Sequence, residues 1–221
     1  MEFLDKYGTN ILTVLLVAAA LMLISNSLQL ATIKGFFGNS GNNLVGGSES
    51  LGVIPTGVPA VYGNELGISY DDVSPDDANK ADRTINKLGQ MDQAIQLTGN
   101  DLERYINVLY KLENGISCEY CCGARSVIFE SGESACGCAH SYAMRGLAKY
   151  LITQHGDEYT DEELLEEIGK WKTLFFPTII EQKAAILKEK GIELNYINLA
   201  SNKYRGIEKG ASSGGSMVGG C

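Results

Sequence analysis

The chain has 221 residues and a formal charge of −9, from 18 basic against 27 acidic side chains, with no Lys/Arg-rich run. Backbone phosphates need clustered positive charge, so nucleic acid is excluded as a partner. Six cysteines are too few to replace a core with disulfides in a chain this long, and their clustering indicates a local site.

Residues 1–34 read as a membrane anchor. Ile11 to Ile24 is almost purely apolar, and no charge falls between Thr9 and Ile33; about 20 such residues cross a bilayer as a helix. Ser25-Asn26-Ser27 could serve as a signal cleavage site. Against cleavage, Glu2 and Asp5 outnumber Lys6, so the usual basic flank is missing. Lys6 and Lys34 balance each other and leave orientation open; an extracytoplasmic domain is the expectation. Residues 35–69, rich in Gly, Ser and Asn with Pro55 and Pro59, read as a flexible linker.

The domain is expected over 70–200, mainly α, with about five helices around a small β-type cysteine insert. Ser74-Pro75-Asp76-Asp77 suits a helix start. Ala78, Ala81, Ile85, Leu88 and Ile95 then make one apolar stripe, with Met91 or Asp92 between the last two. Thr98-Gly99-Asn100 breaks that helix, and a second runs from Asp101 to a cap at Asn114-Gly115. Ser141 to Gln154 has helical spacing. Thr160 with Glu163 forms a capping box ahead of Leu164, Leu165, Ile168, Trp171 and Phe175. Pro177 restarts a helix that Gly191 ends, and Ile192 to Leu199 reads as a short strand. Residues 201–221 thin into a Gly/Ser tail ending in Cys221.

Between Ser117 and Ala148 lie Cys118, Cys121, Cys122, Cys136 and Cys138, with His140, one of only two histidines. A C-x-x-C-C loop, a short β-type run over Ser126 to Glu130, a turn at Ser131-Gly132 and C-G-C-x-H opening a helix would bring the two clusters together. Paired thiolates with an imidazole suit a tetrahedral ion, zinc or copper(I). Cys118, Cys121, Cys136 and Cys138 are the expected ligands, His140 a fifth candidate and Cys122 an alternative. Met144, one helical turn after His140, and Cys221 on the tail are auxiliary soft donors.

Two other readings stay open. The thiols could staple the loop as disulfides or act in thiol-disulfide exchange, with Cys221 as a mobile thiol. The chain could also be a structural subunit of a surface assembly whose amino-terminal helix packs against copies of itself. Iron-sulfur ligation fits neither common ferredoxin spacing, and no C-x-x-C-H exists for haem. Cys138 and His140, two residues apart, make a poor nucleophile and base.

The segment Ala135-Cys136-Gly137-Cys138-Ala139-His140-Ser141, with the C-x-x-C-C cluster ahead of it, resembles the C-G-C core of the membrane-anchored PCYCGC-motif proteins of prokaryotes. Ala135 stands where that motif has tyrosine, and no cysteine near the amino terminus supplies a lipobox. The resemblance implies a surface protein that handles metal; a protein partner or a metal donor or acceptor is the expectation for what it meets.

Overall fold

The computed structural model describes residues 51–119, 123–209 and 217–219. Over these the chain is mainly helical, as expected. Seven α-helices follow one another: α1 (Gly63–Leu66), α2 (Ala78–Ala94), α3 (Gly99–Ile106), α4 (Ala139–His155), α5 (Asp161–Phe175), α6 (Pro177–Glu189) and α7 (Tyr196–Ala200). The expected membrane anchor, residues 1–34, lies outside the described residues. Among the described residues, no helix is long and apolar enough to cross a membrane.

Helix α2 begins three residues later than its proline signal. The Asp77 carboxylate caps it by accepting from the Lys80 N–H at 3.0 Å, which relieves one of the unpaired amides of the first turn. Ala81, Ile85 and Leu88 are buried as expected, and Asp92, rather than Met91, completes the inward stripe. Helix α3 passes into a π turn over Asn107–Lys111 and a 3-10 turn over Leu112–Asn114. Asn114 and Gly115 then stand at φ +65° and +78°, the left-handed geometry that ends helices. The Thr160 and Glu163 capping box forms as read, with both reciprocal hydrogen bonds present. Pro177 opens α6 at its first position.

Helices α2 and α4 cross most closely, and the crossing depends on small residues. A side-chain carbon added at Gly146 would lie 2.0 Å from the Leu88 carbonyl oxygen, and one at Gly89 would lie 3.2 Å from Tyr142 Cβ. Trp171, Phe175 and Phe176 of the α5–α6 region fill the core beneath.

Three expectations are corrected. Residues 51–69 are folded where a tether was expected: Val53, Tyr62 and Ile68 are buried. The Tyr62 hydroxyl donates to Glu167 at 2.5 Å and accepts from the Trp171 indole at 2.6 Å. The glycines and prolines of that segment serve turns, with Gly57 and Gly67 at positive φ. Ile192 to Leu199 is not a strand; the Asn195 side chain accepts from the Asn198 N–H at 2.8 Å and starts α7, a local cap that overrides β-branched composition. The cysteine insert contains no strand among its described residues. Two isolated bridges, Ile116 with Ser201 and Ile128 with Ser134, tie it down.

Candidate metal centre

Cys118 is delivered by the left-handed exit from α3. The Ile116 N–H donates to the Leu109 carbonyl at 3.0 Å, and the Val127 N–H donates to the Ile116 carbonyl at 2.9 Å. Ser117 bonds Asn202 at 2.7 Å. Arg205 donates to the carbonyls of Glu119 and Ala124, both at 2.9 Å, so one guanidinium clamps the backbone on either side of 120–122.

The second cluster is placed by α4. Cys138 is the N-cap of this helix, its sulfur accepting from the Ser141 N–H at 3.4 Å. Cys136, two residues earlier, is fixed through its carbonyl, which accepts from Arg145 Nη1 at 2.7 Å. That guanidinium is fully buried and paired with Asp92 at 2.8 Å, so α2, α4 and the cysteine loop share one anchor.

The two clusters meet. The sulfurs of Cys118, Cys136 and Cys138 lie within 4.8 Å of one another, a group able to hold a metal ion. Cys118 and Cys138 are 3.2 Å apart, and Cys136 and Cys138 are 3.7 Å apart. A tetrahedral zinc with Zn–S bonds of about 2.3 Å would hold its sulfurs about 3.8 Å apart, whereas a disulfide needs about 2.05 Å. Cys136 and Cys138 therefore have the spacing of ligands, whereas Cys118 and Cys138 are closer than a shared zinc would hold them and are not bonded to each other.

The sulfurs differ in proton affinity. The Cys138 thiol is held well below its ordinary value, chiefly by the hydrogen bond from Cys118, with His140 and Ser141 adding to it; the amino-terminal end of α4 acts in the same direction. Cys118 is pushed up, first by the same contact and then by burial. The two sulfurs stand as donor and acceptor of one hydrogen bond, for which an entering cation would compete.

Of the remaining expected ligands, Cys121, Cys122 and Cys221 lie outside the described residues. His140 stands behind the triad rather than in it. Its Nε2 is 2.7 Å from the Val218 carbonyl oxygen, and its ring lies against Phe175 and Phe176, with centroids 4.9 and 5.1 Å away. Met144 is fully buried in the hydrophobic core.

Sequence reasoning missed four groups. Ser141 places its hydroxyl 2.9 Å from the Cys118 sulfur and 3.4 Å from that of Cys138. Arg145 and Val218 act as described above. The fourth is a buried cluster directly behind Cys118, where the Glu119 carboxylate pairs with Lys172 at 2.6 Å and Lys183 at 3.2 Å, all three fully buried. Burial works to raise the Glu119 pKa, but the two ammonium groups outweigh it and hold the carboxyl below its usual range. Burial pushes Lys183 down to about 8. Ser141 was the readable one, since a hydroxyl three residues after a helix-capping cysteine faces back toward it. No family model, curated protein or solved structure matches the chain.

Proposed function

We propose that this chain is a membrane-anchored protein that binds a soft transition metal, zinc or copper(I), at Cys118, Cys136 and Cys138. The observation that carries the reading is the convergence of these three sulfurs, from two separate segments, within 4.8 Å of one another in a largely dry site. Soft sulfur donors select zinc and copper(I) over magnesium or calcium. His140, Cys121, Cys122 and Cys221 are the candidates for a fourth ligand. Residues 1–34 would hold the domain at the membrane, on its extracytoplasmic side, and the resemblance to PCYCGC-motif proteins agrees with metal handling there.

Elemental analysis of the purified full chain, beside a thiol count before and after chelation, tests the reading. About one equivalent of metal per chain is expected for a single site, lost in Cys138→Ser, with thiols becoming reactive once a chelator removes the ion. A metal content near zero in the wild type would refute it.

A second reading has one observation in its favour. A Cys138 sulfur of low proton affinity, 3.2 Å from Cys118, is placed for disulfide formation, in which two thiols give up two electrons and two protons to an external disulfide that is reduced to two thiols. Absence of metal together with loss of the Cys118 and Cys138 thiols on oxidation would support it instead.

A further inference from the structure

The tail residues Met217–Gly219 are docked, although their composition reads as an unstructured arm. Val218 is buried to 3 % exposure. Its N–H donates to the Phe175 carbonyl at 3.0 Å, and its carbonyl faces His140 Nε2 at 2.7 Å. Gly219 follows at φ +85°, where a side-chain carbon would lie 2.4 Å from Ile85 Cδ1 and 3.6 Å from His140 Nε2. The segment thus touches α2, α4 and α5 at once, with a glycine at positive φ where a side chain would crowd Ile85.

The contact dictates the state of the imidazole. A carbonyl oxygen only accepts, so Nε2 must carry a hydrogen; in the neutral ring Nδ1 is then the nitrogen with a lone pair. His140 stands two residues after Cys138, in the first turn of the helix that Cys138 caps. A histidine that ligates a metal through one ring nitrogen commonly donates its other N–H to a backbone carbonyl, and loss of such support costs about 10- to 100-fold in metal affinity; His140, a candidate fourth ligand, has that arrangement with Val218.

We propose that Met217–Gly219 is a strap that positions His140 against Cys138, coupling docking of the carboxyl-terminal tail to metal binding at the sulfur triad. Val218 is a positioning residue in this scheme. It touches no sulfur, and its effect passes through one imidazole. Because coupling between two equilibria is reciprocal, metal must hold the strap down by the factor with which the strap strengthens metal binding. The affinity part rests on the metal-binding reading, whereas the positioning of His140 does not.

The test compares the full-length wild type, Val218→Asp and Gly219→Ala. Val218→Asp places a carboxylate in an apolar pocket and expels the strap. Gly219→Ala only crowds it and guards against misfolding of the first variant, with circular dichroism checking that both remain helical. Zinc affinity is measured by chelator competition, and the His140 tautomer is read from its ring 15N shifts. Val218→Asp is expected to weaken zinc binding about 10- to 100-fold, Gly219→Ala to weaken it less, and both to shift His140 away from the Nε2–H form. In a His140→Ala background, Val218→Asp should have no further effect. Unchanged zinc affinity in Val218→Asp, or an undiminished loss in the His140→Ala background, overturns the proposal. Should the wild type take up neither zinc nor copper(I), the metal reading falls separately. The 15N shifts then decide the strap: the Nε2–H form lost in Val218→Asp upholds the positioning of His140, and identical shifts refute it.

Discussion

Arg145 carries more of the site than any sulfur does. Its guanidinium is fully buried, pairs with Asp92, and donates to the carbonyls of Cys136 and Val127 at 2.7 and 3.2 Å. Breaking a buried ion pair from one side leaves an uncompensated charge and typically costs about 3–5 kcal/mol. Here Lys149 also reaches Asp92, at 2.8 Å, and keeps part of that charge paired. We therefore expect Arg145→Met to lower stability by about 3 kcal/mol, the low end of that range. Adding Asp92→Leu should recover part of the loss, because it removes the buried carboxylate and leaves only Lys149, which reaches solvent and still has the backbone carbonyl of residue 92 as an acceptor. Urea denaturation of the single and double variants measures this; a double variant less stable than Arg145→Met would show that the carbonyl contacts outweigh the ion pair. No signal in the sequence marks Arg145 as buried, since a lone basic residue on a helix is ordinarily solvated.

Among the elements, the α2–α4 crossing sets where the triad sits. Cys138 caps α4, and Asp92 on α2 holds Arg145, so the distance between the two helices is transmitted to Cys136. Gly146→Ala separates two opposed effects. Alanine favours a helix over glycine by about 1 kcal/mol, but its methyl would lie 2.0 Å from the Leu88 carbonyl oxygen and 2.9 Å from the Asp92 amide nitrogen. Overpacking of this kind costs about 1–3 kcal/mol, and contact with backbone rather than a movable side chain places it at the upper end. A net loss of about 2 kcal/mol is expected, read as a lower urea midpoint. An unchanged or raised midpoint would show that the helices move apart without cost. The helices themselves were legible because apolar spacing and caps are local: α5 follows from Thr160 and Glu163, and α6 from Pro177. The folding of residues 51–69 was not legible, because Tyr62 is fixed by Glu167 and Trp171, over 100 positions away, and the local composition reports only turns.

Across the whole molecule, the sulfur triad lies where three segments meet: the exit from α3, the start of α4 and, through His140, the tail. The sequence made the cysteines visible as a cluster and the convergence of 118 with 136 and 138 plausible from their spacing. It could not reveal that His140 would face Val218, since that contact spans 78 positions. A ligand that binds only the folded chain stabilises it by mass action, about 2.7 kcal/mol when its concentration is 100 times the dissociation constant. Unfolding separates the three thiols, so essentially all of the triad's affinity for metal should appear as folding stability. Chelation is therefore expected to lower the urea midpoint of the full chain, and stoichiometric zinc to restore it. Cys118→Ser should remove most of the difference between the two conditions. Magnesium should not substitute for zinc, because sulfur donors discriminate against hard cations. Equal midpoints with zinc and with chelator would mean that the triad forms as part of the core without drawing stability from an ion.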